Sequence, residues 1–467
     1  MDHHDSEHED YDVIVVGAGT SGAVCAGTLA SRGARVLLIS ETATPGYNVR
    51  CVPLDGHLAY IQQPPWHMSW GGGHWARVAR ELNLPVRAHA APPISVMVRG
   101  SRRSTRMPLI ASTTELCELL FHLTEMPREI LDRGDTERVL RAGLAIPPGQ
   151  LCKMHDVGLE QWFDRQQADQ PTRLVIELLA AVVAGVSSER IGKTFSVFGA
   201  FALIRTCFAG EGIISVIEPD IQRGLIQPLT NYVQEHGGVV WRGTKVQRVL
   251  VEREAVRGVQ MTDGRTATAS HVALAVGNQR IPAFFTELPA ELCEPLRKEA
   301  AFEHDQVTIA TLLTRPVVDV TDKLLIHDPA TGANVWFVPL NVVAPWNSPD
   351  ARQLCLQWWG GPARGHNAVV NYLDDVCEDA FPGWKAAVGQ RAPAARRYHW
   401  LNSCYAGAKV PRRSPTIERL WYVGESTEPV AGIATEQAAF AGYHGALAIG
   451  AHPMPSRRRR LTGRDIP

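Results

Sequence analysis

The chain has 467 residues, of which 45% are apolar and 20% are charged, and its formal net charge is −1. This length predicts two or three domains around a large core, and the balanced charge argues against an extended nucleic-acid surface. The sequence contains no uninterrupted apolar run of about 20 residues that could span a membrane.

The cysteines point to a reducing compartment. There are nine, an odd number, and none forms a CxxC pair. This pattern favours neither a zinc centre nor a disulfide framework, so we expect reduced thiols, a cytoplasmic location and no metal site. The N-terminus lacks the apolar core of a signal peptide. We expect residues 1–10 to form a disordered tail and residues 453–467 a basic tail.

The first predicted unit is a strand, a glycine turn, a helix and a second strand, over residues 11–41. Three glycines of GAGTSG separate a β-branched run at 13–16 from the helix at 23–32. The first glycine makes the turn, the second lets the backbone approach a pyrophosphate, and the third lets the helix pack closely. The helix N-terminus favours phosphate. The sequence therefore predicts dinucleotide binding by Gly17, Ala18, Gly19, Thr20, Ser21 and Gly22.

The end of the second strand, 34–39, is expected to hold the ribose hydroxyls through an acidic side chain. The usual position falls on Ser40, and Glu41 comes one residue later. Both remain candidates for the ribose contact. The local sequence offers no arginine for a 2′-phosphate, which disfavours NADP, but this unit does not distinguish NAD from FAD.

A second nucleotide-binding signal lies near the C-terminus. A short strand at 420–423 ends in Gly424 and Glu425, and Gly432, Ile433 and Ala434 open a helix of small residues at 435–449. Glu425 can accept hydrogen bonds from ribityl hydroxyls. The amides of residues 432–434 can stabilise negative charge on the N1–C2=O2 edge of a reduced flavin. A nicotinamide cofactor needs neither feature, so this segment predicts FAD.

The GAGTSG unit and the segment GES…GIATEQAAFAG together resemble the two FAD signatures of the phytoene desaturase and flavin amine oxidase superfamily. The segment 229–277 resembles a third part of that FAD domain. The resemblance implies that Val246 contacts the adenine through its backbone and that the strand ending at Gly277 completes the domain. It also implies an α/β fold, with a discontinuous Rossmann-like FAD-binding domain and an inserted α+β substrate domain of helices and an antiparallel sheet.

The expected domain division is interleaved along the chain. The FAD-binding domain is predicted from residues 11–85, 210–282 and 404–452, and the substrate domain from residues 86–209 and 283–403. No second GxGxxG unit follows, so reduction by NAD(P)H through a separate Rossmann domain is not expected.

The sequence departs from the superfamily pattern in the stretch PGYNVRC, 45–51. Gly46 is present, but Tyr47 replaces the second glycine and Arg50 comes two residues late. Which residue of this stretch contacts the pyrophosphate is therefore not assigned. Cys51 stands alone, so a redox dithiol is not predicted.

The substrate is expected where the two domains meet. The stretch 55–75 corresponds to the superfamily segment that approaches the flavin ring, and WFVPLNVVAPW and LCLQWWGG supply apolar walls. Any one of these tryptophans is equally well explained as core. The catalytic residue stays unassigned. Four side chains are candidate general bases by residue type alone: His57, His67, His74 and Glu160. Cys404 is a remote candidate for covalent flavin attachment.

These features predict an FAD-dependent oxidoreductase that removes hydride from a small, largely apolar metabolite, oxidising a C–N bond or desaturating a C–C bond. A role in specialised metabolism would suit it, with O2 or a quinone as the electron acceptor. Two alternatives stay open. One is a flavin-dependent isomerase or cyclase without net redox chemistry, and the other is a non-enzymatic binding protein like the GDP-dissociation inhibitors. No feature of the sequence supports membrane contact.

Overall fold

Nineteen strands and fourteen α-helices account for most of the described residues in a computed structural model of the protein. The structure describes residues 10–46, 49, 51–60, 66–68, 73–92, 94–101, 104–106, 135–186, 191–208, 214–301, 305–347, 350, 352–361, 365–397 and 402–452. The predictions for the two tails, Tyr47, Arg50 and the side chain of His67 lie outside the described residues.

The strands in chain order are β1 (Asp10–Val16), β2 (Val36–Ile39), β3 (Cys51–Leu54), β4 (His57–Tyr60), β5 (Trp66–Met68), β6 (Arg87–Ala90), β7 (Ile94–Val98), β8 (Ser104–Arg106), β9 (Ile214–Glu218), β10 (Val239–Trp241), β11 (Val246–Glu252), β12 (Ala255–Met261), β13 (Thr266–Leu274), β14 (Asp305–Leu313), β15 (Lys323–Asp328), β16 (Ala333–Pro339), β17 (Leu354–Gly361), β18 (Val388–Arg397) and β19 (Leu420–Tyr422).

The helices are α1 (Thr20–Ala30), α2 (His74–Glu81), α3 (Asp135–Ala145), α4 (Pro148–Leu151), α5 (Leu159–Gln166), α6 (Gln170–Ala184), α7 (Ile191–Thr194), α8 (Val197–Phe208), α9 (Gln227–Glu235), α10 (Ala290–Ala300), α11 (Leu340–Val343), α12 (His366–Ala380), α13 (Trp384–Ala387) and α14 (Ala434–Gly450). No helix in the described part of the chain is long and apolar enough to cross a membrane.

The first seven-stranded sheet carries the Rossmann-like unit. Its order is β10-β2-β1-β13-β12-β11, with β19 also paired to β13. The pairings among β10, β2, β1, β13 and β19 are parallel, whereas β11, β12 and the start of β13 are antiparallel. Because side chains alternate along a strand, Val13 and Val15 face α1 and α14, and Ile14 and Val16 face the opposite layer. Both faces are therefore covered, as the apolar sequence of β1 predicts.

The second seven-stranded sheet has the order β18-β14-β17-β16-β15-β7-β8. Its pairings are antiparallel except for β7, which runs parallel to β15. Trp336 and Trp358 belong to a core shared with α6 and α8, whereas Phe337 packs with α12 and α13. The mixed α/β fold with an additional antiparallel sheet agrees with the prediction, but β15 and β18 were not predicted as strands.

Two smaller sheets complete the strand pairing. The β3–β4 hairpin stands alone, and β5, β9 and β6 form a three-stranded antiparallel sheet. The sequence predicts that residues 86–107 form one strand pair. Instead, β6 joins β9 in the small sheet, and β7 pairs with β8 in the large one. Ala91–Pro92 and its neighbours separate them, and proline there removes the backbone donor that a continuous strand needs.

Candidate functional site

The glycine turn between β1 and α1 brings the backbone close to the end of β13. Gly17 has a φ of +102°, and a Cβ built on it would lie 2.4 Å from the carbonyl oxygen of Ala275. A Cβ on Gly22 would lie only 1.8 Å from the carbonyl oxygen of Gly17. These two glycines are therefore required by packing. Gly19 caps α1 and differs from both, because no described atom lies within 4 Å of a Cβ built there.

The C-terminal segment reaches the same edge of the sheet. β19 pairs in parallel with β13 and β13 with β1, so the carboxyl ends of all three strands lie side by side. A Cβ on Gly424, just after β19, would lie 3.2 Å from the carbonyl oxygen of Val276. A Cβ on Gly442 of α14 would lie 2.3 Å from the carbonyl oxygen of Ser21 in α1. The two predicted nucleotide-binding segments thus lie together, although about 400 residues separate them.

The start of α14 is held in a defined conformation. Ile433 has extended φ and ψ angles at the N-cap, and Ala434 has a φ of +50°, which is uncommon for a residue with a Cβ. Such strain concentrates at functional sites. The buried amide of Gln437 fixes the preceding loop, since its Oε1 accepts from the nitrogen of Ala431 at 2.7 Å and its Nε2 donates to the carbonyl of Thr427 at 3.0 Å.

Glu425 lies beside this helix start, close to Lys409 and Ser403. Burial raises the pKa of its carboxyl to about 8, while Lys409 and backbone hydrogen bonds from Ser403 and Ala434 act to lower it. Burial also lowers the pKa of the Lys409 ammonium to about 8. The hydrogen bond from Ala434 was not predicted, because the sequence assigned that amide to the flavin. A carboxyl group with a raised pKa gains from additional hydroxyl donors, which fits the predicted ribityl contact.

Replacing Glu425 with glutamine is expected to change how stability depends on pH. The pKa is raised from 4.5 to about 8 in the folded chain, so the folded state holds this proton more tightly than the unfolded state does. The resulting stabilisation is fully present below about pH 4.5 and is lost as the pH rises through about 8. The free energy of unfolding of the wild type minus that of the variant should therefore fall across this window. Urea unfolding of cofactor-free protein at several pH values tests this, and a constant difference would contradict it.

The two ribose candidates lie in different environments. Ser40 is buried, and its hydroxyl donates to the carbonyl of Thr42 at 2.8 Å. Glu41 is half-exposed, with its carboxylate 2.5 Å from Arg280 Nη2 and 3.5 Å from Lys245 Nζ. The sequence predicts no arginine at this position, and the structure brings one there from a remote segment. Both cations pair with Glu41.

The residues that the resemblance implies lie on or just after two strands of the same sheet, β11 and β13, which β12 separates. Val246 opens β11 with its side chain buried, and the carbonyl of Lys245 before it accepts from the nitrogen of Thr262 at 3.0 Å. Gly277 follows β13 and caps the short helix Asn278–Phe284. Their contact with an adenine stays a prediction.

A hydrogen-bonded pair of side chains that was not predicted from the sequence joins α2 to α14. Oε1 of Glu436 lies 2.6 Å from both the backbone nitrogen and the Nδ1 of His74. From the sequence, His74 was predicted only as a candidate base. The signal for Glu436 was present, because it is the single acidic residue in a helix otherwise made mainly of small and apolar residues. Its partner could not be predicted, because it lies 362 residues away.

Other candidates are engaged in packing contacts. The His57 imidazole is fully buried, with Nε2 3.2 Å from the carboxylate of Asp350. Cys404 packs against Gly199 of α8, and burial raises the pKa of its thiol to about 12. A thiol with such a raised pKa stays protonated at neutral pH and is a poor nucleophile for covalent attachment of a flavin. Trp336 lies against Gly185 and stacks on Trp358, as a core residue does.

One group of side chains among the described residues has the spacing of metal ligands. His155, Asp156 and Glu428 place ligand atoms within 4.8 Å of one another. The His155–Asp156 ion pair and the positive charge of Lys409 already act on these carboxylates. Burial nevertheless raises the pKa of the Glu428 carboxyl, and the neighbouring Asp156 carboxylate raises it further.

The described residues fit a dinucleotide cofactor. The Gly17 and Gly22 backbones shape the turn, and the space beside Gly19 is open at the N-terminus of α1, where phosphate binds favourably. The start of α14 and Glu425 lie at the same sheet edge. These are the groups that would hold the two halves of such a molecule.

Comparison with known proteins agrees with this geometry. The NAD(P)-binding Rossmann-like domain family matches residues 15–82. Glycerol-3-phosphate dehydrogenase of Mycobacterium leprae is 24% identical over 66% of this chain and 53% of its own length. Hydroxyneurosporene desaturase of Cereibacter sphaeroides is 24% identical over 56% of this chain and 55% of its own length. The chain thus spans about half the length of these curated relatives.

Solved structures match almost the whole chain. An oxidoreductase from Methanosarcina mazei has a TM-score of 0.68 and 17% identity, covering 94% of this chain and 100% of the other. Cyclohexylamine oxidase from Brevibacterium oxydans has a TM-score of 0.61 and 15% identity, covering 95% and 99%. At these identities the likeness shows the fold. The relatives and structures named here are oxidoreductases, as the sequence predicts, and the desaturase and the amine oxidase among them agree with the resemblance to the phytoene desaturase and flavin amine oxidase superfamily.

Proposed function

We propose that the chain is an FAD-dependent oxidoreductase that oxidises or desaturates a small, largely apolar metabolite. The observation that carries the proposal is the meeting of the 17–22 turn and the 424–434 segment at one sheet edge. There the glycines permit close backbone approach, and two helices begin. A nicotinamide cofactor would account for the first segment but not for the second.

The roles of the protein groups follow from their chemistry. The N–H groups at the start of α1 bind the diphosphate, and Glu425 accepts hydrogen bonds from the ribityl hydroxyls. The N-terminus of α14 presents a positive potential to the pyrimidine edge of the cofactor. Bound flavin supplies the hydride acceptor of the reaction. The protein then has to hold the donor carbon close to that acceptor and exclude water.

An apolar substrate is supported by the core that borders the helix start. Val430 and Ile433 belong to the same apolar cluster as Trp336, Trp358 and the helices α6 and α8. A molecule held between the sheet and the start of α14 would meet mainly the hydrocarbon surface of Val430 and Ile433. O2 or a quinone is the proposed electron acceptor. We also propose the interleaved division into an FAD-binding and a substrate domain that the sequence predicts.

The purified protein tests the first part of the proposal. We expect a yellow preparation with flavin absorbance, and the released cofactor should comigrate with FAD after acid denaturation. Full release is expected, because Cys404 is buried and protonated. A colourless protein that cannot be reconstituted with FAD would contradict the proposal and favour the binding-protein alternative.

Anaerobic titration tests the reaction class. Adding primary amines, polyenes and hydroxylated apolar compounds one at a time should bleach the flavin with one of these classes. Bleaching by an amine would indicate C–N oxidation, and bleaching by a polyene would indicate desaturation. Turnover of a compound without bleaching and without an acceptor would instead favour the isomerase or cyclase alternative.

A further inference from the structure

The carboxylate of Glu436 is fully buried in the first turn of α14, two residues after Ala434. Its Oε1 receives the backbone N–H of His74 and lies against the Nδ1 of the same residue. Its Oε2 has no hydrogen-bond partner among the residues that the structure describes. A buried carboxylate oxygen without a donor is costly, so packing alone does not explain a glutamate at this position.

The position of this carboxylate relates it to the cofactor site. A Cβ built on Gly432 would lie 2.8 Å from the Cγ of Glu436, so the glutamate stem lies against the turn that opens α14. His74 is the first residue of α2 and lies next to the end of the 55–75 stretch expected to approach the flavin. Glu436 is therefore placed where the N-termini of two helices meet.

The imidazole of His74 is itself fixed. Its ring meets Phe440 edge to face, with the ring centroids 4.8 Å apart, and lies 5.8 Å from the ring of His444. Both partners belong to α14, one and two turns beyond Glu436. The guanidinium of Arg412 lies 5.8 Å from the Phe440 ring on this side of the helix. His74 thus holds the Glu436 carboxylate in one position relative to the helix axis.

We infer that Glu436, held by His74, is a positioning residue that sets the reduction potential of the bound flavin. This inference rests on the proposed function. The positive end of α14 favours the negative charge that a flavin gains on reduction. A carboxylate in the first turn opposes that effect, and its imidazole partner limits the opposition. The Glu436–His74 pair therefore sets how strongly the N-terminus of α14 favours the reduced cofactor.

Two substitutions test the inference through the sign of their effects. Glu436→Gln removes the negative charge and should make the bound flavin easier to reduce. His74→Leu keeps the carboxylate but removes its imidazole partner, so the flavin should become harder to reduce. The midpoint potential is measured by equilibrium reduction against a reference dye. We expect a roughly tenfold change in the reduction equilibrium in each direction, since a unit charge acts on this scale within about 10 Å. For a two-electron couple, a tenfold change is about 30 mV.

Glu81→Gln is the matched control. Glu81 also lies between α2 and α14, with Oε1 3.2 Å from the Tyr443 hydroxyl, but Tyr443 is about two helical turns beyond Glu436. This variant should leave the potential unchanged. A shift of equal size in Glu81→Gln would overturn the inference.

The remaining outcomes also decide the matter. Shifts of the same sign in Glu436→Gln and His74→Leu would indicate only a loosened interface and would overturn the inference, as would unchanged potentials with flavin retained. If Glu436→Gln does not fold, the sign of the His74→Leu shift decides. A wild-type chain that carries no flavin overturns the proposed function as well, whereas a flavoprotein with unaltered variants overturns this inference alone.

Discussion

Replacing Gly19 with leucine is expected to abolish flavin binding while leaving the protein folded. The backbone of Gly19 has φ −78° and ψ −172°, which any residue can adopt, and no described atom lies within 4 Å of an added Cβ. The fold therefore tolerates the side chain, but the side chain would fill the space where the diphosphate is proposed to lie.

The expected magnitudes separate cofactor binding from stability. The free energy of unfolding of the cofactor-free protein should change by no more than about 0.5 kcal/mol. The affinity for FAD should fall by roughly 100-fold or more, equivalent to about 3 kcal/mol. Titration of the apoprotein with FAD measures the affinity, and urea unfolding of the apoprotein measures the stability.

Gly365→Leu is the control for this experiment. Gly365 caps α12 as Gly19 caps α1, and a Cβ built on it also meets no described atom within 4 Å. This variant should retain flavin at the wild-type level. A Gly19→Leu protein with full flavin content would refute the assignment of the turn to the diphosphate.

Replacing Gly442 with alanine is expected to damage both the fold and the cofactor site. Its Cβ would lie 2.3 Å from the carbonyl oxygen of Ser21 and 3.2 Å from the nitrogen of Cys25, both backbone atoms of α1. Neither helix can relieve the clash by a side-chain rotation, so α14 must move away from α1. We expect a loss of about 1–3 kcal/mol of unfolding free energy, typical of overpacking, together with weaker FAD binding.

Gly450→Ala at the end of the same helix provides the comparison. Its Cβ would meet only the Cδ of Arg32 at 3.9 Å, which is an ordinary contact. Because alanine has the higher helix propensity, this variant should be as stable as the wild type or more stable by up to about 1 kcal/mol. Thermal and urea unfolding of the two variants side by side test the prediction, and equal effects of the two substitutions would contradict it.

Local patterns in the sequence were sufficient to predict the elements that carry the nucleotide-binding motifs. The β-branched run at 13–16, the glycine turn and the following helix correspond to β1 and α1, and the strand, Gly424 and helix near the C-terminus correspond to β19 and α14. Each of these depends on neighbouring residues only. The fold class agrees as well, but it was predicted from the resemblance to a known superfamily and not from these local patterns.

Contacts between distant segments could not be predicted in the same way. Arg280 reaches Glu41 across 239 residues, and His74 reaches Glu436 across 362. Charge type alone does not indicate which of 47 Lys and Arg residues meets a given carboxylate. For His57, the residue type suggested a catalytic role that the contacts in the structure do not support. The β3–β4 hairpin and Asp350 enclose its side chain.

The strand order of the first sheet has a consequence for synthesis of the protein on the ribosome. β1, α1 and β2 emerge first, but the neighbour of β1 on its other side, β13, appears about 250 residues later, and β19 only near the end of the chain. Pairing over such sequence separations is slow, and unpaired strand edges invite aggregation. In the nascent N-terminal half, the edge of β1 that pairs with β13 therefore stays unpaired until β13 has been synthesised. A fragment released early from translation lacks β13 and β19 and cannot form the complete nucleotide-binding site.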